Sequence, residues 1–210
     1  MATRNFLDGD LVVTGNVQVG GSLTPPLSRS SLSQEDWAEF PIPFTSWRVF
    51  DAFGTSIGTP GNDDLGITAG TFGTGCPYIT AGDLKTAGAT TRRARFLVQL
   101  PHEYVAGQSV RIALAAGMLT TVADGSCTVD VEAYKVAEDT LVTGSDLVTT
   151  SATTINSLVF GDKTFDITGT ALAPGDLLDV RVSVVCTDTA TVTAVTPAIA
   201  AAKLQCDVKG

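Results

Sequence analysis

From residue 93 onward, apolar and polar side chains alternate in short runs. Phe96, Val98 and Leu100 share one phase, against Leu97 and Gln99. Val110, Ile112, Leu114 and Ala116 alternate with Ser109, Arg111, Ala113 and Ala115. The run from Cys127 to Tyr134 keeps Thr128, Asp130 and Glu132 on the other phase, and Phe165 and Ile167 alternate with Thr164, Asp166 and Thr168. Residues 178–186 carry Asp179, Arg181 and Ser183 outward, and a last run lies at 203–208. Side chains two apart share one face of a strand, so a period of two predicts strands with one face packed and one face toward water. That is the signature of antiparallel sheets rather than of a buried parallel sheet. Pro101, Gly107 and Pro174-Gly175-Asp176 supply turns between the runs, and no long helical period intervenes. The predicted fold is all-β, an antiparallel β-sandwich of jelly-roll-like type spanning residues 31–210.

Residues 1–30 read differently. Leu11, Val13, Val17, Val19 and Leu23 lie in tiny strands, with Gly-containing turns about every six residues. Such rungs cannot bury an apolar face alone. The segment is therefore predicted to be a short N-terminal β-stem or arm, with these five residues as oligomer or docking contacts. Ser33, Glu35, Asp36, Trp37 and Phe40 fit one short helical turn capped by Ser33 and stopped by Pro41 and Pro43. Residues 47–53 read as the first strand of the body, and 54–90 as a long loop or loose hairpins. Trp37, Phe40, Phe44, Trp47, Phe50 and Phe53 crowd one stretch. Core and subunit interface are the commoner uses of such aromatics, with a sugar platform as the alternative. Trp37, Phe40, Phe44 and Trp47 are taken as interface aromatics.

Charge narrows the function classes. Of 210 residues, 13 are basic and 22 acidic, a formal net charge of -9. An acidic chain is repelled by phosphate backbones, so no direct nucleic-acid partner is expected. Arg92, Arg93 and Arg95 form the densest basic spot and read as a solvated strand end. No run of about 18 apolar residues is present, so no membrane span is expected. Residues 1–10 lack a secretory-type apolar run, which places synthesis in a cytoplasm.

Catalytic chemistry finds little support. His102, the single histidine, follows a strand and reads as a surface turn, although triads and most zinc sites need histidine. There is no G-x-S-x-G, and the glycines at 70, 73 and 75 lack the Lys-Ser/Thr of a phosphate loop. Asp63-Asp64 suits turn chemistry better than calcium. Asp176 and Asp179, three apart on a strand, face opposite sides and make no glycosidase pair. The four cysteines form no C-x-x-C. Cys127, Cys186 and Cys206 fall on apolar phases and read as buried free thiols. No enzyme activity, metal or cofactor is expected.

Three stretches carry a resemblance. Phe96-Leu97-Val98-Gln99-Leu100-Pro101-His102-Glu103-Tyr104-Val105-Ala106-Gly107-Gln108-Ser109-Val110-Arg111-Ile112 looks like a strand–Leu-Pro-turn–Gly–strand unit of tailed-phage virion proteins. Pro174-Gly175-Asp176-Leu177-Leu178-Asp179-Val180-Arg181-Val182 resembles a second recurring unit of those proteins. The stem, with Val13-Thr14-Gly15-Asn16-Val17-Gln18-Val19-Gly20-Gly21, is similar to short rungs in phage fibres and decoration proteins. Together they most resemble the jelly-roll decoration (cement) proteins of phage capsids. The resemblance implies a homotrimer on the virion surface that bridges major capsid proteins, made in the host bacterial cytoplasm. It supplies no catalytic residues. Two other readings stand beside it: a tail fibre, spike or baseplate protein binding a host glycan receptor, and a carbohydrate-active or lectin-like module from a cell.

Overall fold

The alternation becomes two facing antiparallel sheets. The computed structural model describes residues 37–120, 125–137, 141–189 and 193–209. The stem residues Leu11, Val13, Val17, Val19 and Leu23 lie outside the described residues, as does the whole 1–30 segment. The described strands are β1 (Trp37–Pro41), β2 (Arg48–Val49), β3 (Gly66–Thr68), β4 (Tyr78–Thr80), β5 (Gly88–Gln99), β6 (Val110–Met118), β7 (Gly125–Ala137), β8 (Leu141–Thr143), β9 (Thr153–Thr154), β10 (Gly161–Ile167), β11 (Leu177–Asp188) and β12 (Pro197–Asp207). One sheet runs β10-β6-β12-β4-β3, with β1 also on β12; the other runs β2-β5-β11-β7-β8, with β9 also on β7. The fold is a jelly-roll-like β-sandwich.

The predicted inward phases fill its interior. Phe96, Val180, Val182, Val129 and Val131 come from the β5-β11-β7 sheet, and Ile112, Leu114, Phe165 and Leu204 from the other; all are buried in one core. Trp47 is fully buried in that core, its ring 5.0 Å from Phe96 and met edge-on by Phe44 at 6.4 Å. Trp47 is therefore a core residue, not an interface aromatic. Phe40 and Phe44 pack against the same core and are partly buried.

Other expectations are corrected as well. Residues 37–41 form strand β1, not a helical turn, while 33–36, including the expected Ser33 cap, lie outside the described residues. Trp37 to Pro41 pair antiparallel with Asp207 to Lys203, and this ladder outweighs a weak capping signal. The strand expected at 47–53 shrinks to Arg48–Val49. Thr55 N–H donates to Ala52 O at 2.8 Å and Val49 N–H to Thr55 O at 2.9 Å, so the chain turns back at once. Within 54–90, β3 and β4 pair with each other and β4 extends the sheet beside β12. The basic trio is not a strand end, because β5 begins four residues earlier, at Gly88.

Cys127 and Cys186 stand directly opposite on β7 and β11 and are joined by a disulfide, with Cα atoms 4.1 Å apart. Their inward phase was legible, but the free-thiol expectation was wrong for this pair, because only the register of two strands 59 residues apart makes them neighbours. Cys206 is buried and unbonded. Reducing the bridge is expected to lower unfolding free energy by about 2–4 kcal/mol, mostly by freeing the unfolded chain. Urea melts with and without reductant check this, and an unchanged midpoint would contradict it.

Near one end of the sandwich, the Tyr104 hydroxyl donates to Gln108 O at 2.6 Å. A Cβ on Gly169 would lie 1.8 Å from that same oxygen, so only glycine fits there. Burial, aided by the nearby Cys206, pushes Tyr104 up to about 12. Burial, with Asp207 nearby, pushes Cys206 up to about 11. Both groups keep their protons in the fold at a pH where the unfolded chain has lost them. Their contribution is complete below the unfolded values and is lost as pH rises through the folded ones. The melting temperature is therefore expected to fall steeply from about pH 9 to about pH 12. Tyr104→Phe should flatten the upper part of that slope, and an identical slope would refute the assignment.

Candidate functional site

The outer face of the β5-β11-β7 sheet carries the polar phases of three long strands. In one cross-strand row, Arg48 of β2 faces Arg95 of β5, Arg95 faces Arg181 of β11, and Arg181 faces Glu132 of β7. The adjacent row is Leu97, Asp179 and Tyr134. Like charges directly opposite on neighbouring strands repel, so a row of three arginines requires compensation from nearby groups. Asp179, diagonal to Arg95, and Glu132, directly opposite Arg181, provide it. Arg95 grips Asp179 with two donors, Nε to Oδ1 at 2.6 Å and Nη2 to Oδ2. Arg181 Nη2 donates to Glu132 Oε1, the Tyr134 hydroxyl donates to Glu132 Oε2 at 3.4 Å, and Arg48 Nη1 donates to Ser56 Oγ. The bond to Asp179 raises the pKa of Arg95 further above its ordinary value. Partial burial, with Glu132 beside it, raises that of Tyr134 and keeps its hydroxyl a donor.

The segment after β2 folds over this face. Phe50 is near two guanidinium groups, with Arg93 at 5.5 Å and Arg181 at 5.6 Å from its centroid, and Phe53 lies 5.1 Å from Arg95. Phe50 N–H is held by Asp64 Oδ1 at 3.3 Å, and Arg93 pairs with Asp63 at 3.7 Å. Asp63 and Asp64 thus anchor the segment, and no cluster of three potential metal ligands occurs among the described residues. This cover explains why Asp179 and Ser183, on the outward phase, are only 6% and 7% exposed. What remains open is a cleft of about 430 Å³ lined by Phe50, Asp51, Arg95, Glu132, Tyr134, Asp179 and Arg181.

On the sequence alone, most of the lining reads as an ordinary solvated strand face. Phe50 was within the aromatic stretch, and Asp179 and Arg181 were placed outward, but nothing local marked them as partners. A run of alternating Arg, Glu, Asp and Tyr on three separate strands was the one available signal. The expected interface aromatics do not gather here. Trp37 lies on the outer face of the other sheet, 4.3 Å from the guanidinium of Arg111, which donates to Asp166 at 2.6 Å. His102 is an exposed turn residue after β5. Arg92 takes the inward phase, with Nε and Nη1 buried.

The cleft has the components of a polyol site. The rings of Phe50 and Tyr134 in its lining offer apolar surface, and planar charged pairs on rigid strands offer donors and acceptors together. No helix among the described residues is long and apolar enough to cross a membrane. No protein-family model matches the chain, and no curated protein matches it either. Among solved structures, the chain is similar to the CBM22-1 xylan-binding domain of Xyn10C from Paenibacillus barcinonensis, at 9% identity and TM-score 0.43 over 82% of this chain and 95% of that one. It is also similar to a non-crystalline cellulose specific carbohydrate-binding module, CBM28, at 11% identity and TM-score 0.42 over 75% and 86%. A third is the mannan-recognising module TmCBM27, at 13% identity and TM-score 0.41 over 82% and 99%. Likeness this distant says nothing about what this chain binds.

Proposed function

We propose that this is a non-catalytic binding protein that takes a glycan in the cleft on the outer face of the β5-β11-β7 sheet. The observation that carries the reading is the juxtaposition of Phe50 and Tyr134 with the Arg95–Asp179 and Arg181–Glu132 pairs in one cleft. A pyranose ring has an apolar face of C–H groups and an edge of hydroxyls. The first suits an aromatic ring, and the second suits groups that donate and accept within a few ångströms of each other. The strands hold these groups before the ligand arrives, which lowers the ordering cost of binding. With the sequence resemblance to phage virion proteins, the setting that follows is a fibre, spike or baseplate component recognising a host-surface glycan.

The test is calorimetric titration of the purified chain with a panel of oligosaccharides, repeated on Tyr134→Ala and Phe50→Ala. At least one glycan should bind, and each variant should bind it roughly tenfold more weakly. A panel with no binder, or binding indifferent to both changes, defeats the reading.

A second reading, the capsid decoration protein, is favoured by one observation. The two phage-like units meet at one end of the sandwich: Leu100 N–H donates to Asp176 O at 2.8 Å, and Gly175 N–H donates to Leu100 O at 3.1 Å. A shared rim of this kind suits docking on a lattice. Co-sedimentation with capsids, and a solution mass near three times 21.7 kDa, would favour it. A monomer that ignores capsids would remove it.

A further inference from the structure

We infer that the cleft selects uncharged glycans and rejects chains bearing uronic or sialic acids, with Asp51, Glu132 and Asp179 acting as the selectivity filter. This deepens, and rests on, the reading of the cleft as a glycan site. On the sequence, arginines projecting from neighbouring strands have the form of an anion clamp, because guanidinium groups match carboxylates in a bidentate fork. The geometry removes that role. Arg95 already makes its fork, to Asp179, and Arg181 is already engaged by Glu132. Asp51, on the exposed rim, adds a third carboxylate to the lining. Two cations therefore face three anions within the cleft.

An incoming carboxylate could take the Arg95 fork only by displacing Asp179, and at Arg181, which gives Glu132 a single donor, it would have to sit beside the Glu132 carboxylate. Asp179 is only 6% exposed, so once displaced from Arg95 it has little water to receive it, and a buried unpaired carboxylate is strongly unfavourable. Of the arginines next to the cleft, Arg93 is paired with Asp63, and Arg48, which bonds to the neutral Ser56, stands outside the lining. The chain as a whole carries -9, which opposes the approach of polyanions at low salt. Hydroxyls meet none of these obstacles. A hydroxyl both donates and accepts, so a sugar diol can bridge a guanidinium N–H and the oxygen of its partner carboxylate without separating the pair.

The experiment compares neutral and acidic oligosaccharides of matched length. The neutral set contains xylan, mannan, glucan and galactan fragments, and the acidic set contains oligogalacturonates and sialylated chains. The full chain is titrated at roughly 50 and roughly 500 mM salt, on either side of strong screening. Neutral binders should keep their affinity within about twofold across that range, and acidic counterparts should bind at least roughly tenfold more weakly. Glu132→Gln and Asp51→Asn keep side-chain shape while removing negative charge. Each should raise acidic-chain affinity relative to neutral by about threefold or more, most at low salt. An acidic chain that binds the unaltered protein more tightly, with affinity falling steeply with salt, overturns this inference while leaving the glycan reading intact. An unchanged acidic-to-neutral ratio in both variants also overturns it. Silence from both sets defeats the glycan reading and, with it, this one.

Discussion

Arg95→Ala is expected to destabilise the protein by roughly 3 kcal/mol, and Asp179→Ala by roughly 1 kcal/mol, although each removes the same ion pair. The asymmetry follows from where the two charges sit. The Asp179 side chain is 8% exposed, and that of Arg95 is 34% exposed. Removing Arg95 leaves a carboxylate on the cleft lining with no partner and little water. Removing Asp179 leaves a guanidinium that can turn to solvent and keep its place near Phe53. Replacing both residues with leucine should recover most of the loss, since the cost lies in the orphaned charge rather than in the missing attraction. Urea unfolding of the two alanine variants and their alanine double, treated as a double-mutant cycle, with the leucine pair measured alongside, checks this. Equal costs for the two single changes would mean that Asp179 has more access to water than its burial indicates. Both single variants should also lose measurable glycan binding, because the fork is part of the cleft floor.

Trp47→Ala is expected to cost about 3–5 kcal/mol, a large share of the stability of an ordinary domain. Trp47 is fully buried and contacts Phe96 and Phe44. It therefore links the chain before β2 to the centre of β5, and its removal leaves a cavity that two strands and a short turn cannot collapse to fill. Trp47→Phe should cost much less. The indole Nε1 is buried without a hydrogen-bond partner among the described residues, so phenylalanine sheds an unmet donor along with some packing. Thermal and urea melts report both. A small loss for Trp47→Ala would show that residues 42–47 detach from the core without consequence.

The long strands were legible because their physics is local. In β6, β7 and β11 the inward residues Ile112, Val131 and Val182 recur at every second position, and burial on one face demands that spacing whatever the rest of the chain does. The short strands were not legible. β1 exists because residues 203–207 offer it a ladder, and β2 ends after Val49 because the chain folds back through Thr55. The cleft was the least visible feature. Arg95 and Arg181 are 86 residues apart in sequence, and Glu132 and Arg181 are 49 apart, yet they are immediate neighbours in one row.

Alternation along the chain was enough to establish an all-β sandwich, the inward phase of its strands and the buried phase of Cys127 and Cys186, since each depends only on which side of a strand a residue takes. Strand register and loop placement had to be supplied by the folded molecule. Register set Cys127 against Cys186 and Arg95 against Arg181. The fold-back after β2 brought Phe50 over Arg181 and turned an outward polar face into a half-covered cleft. Both depend on which distant strands pair and at what offset. A one-residue slip would reverse every face, and no short window of sequence encodes that offset.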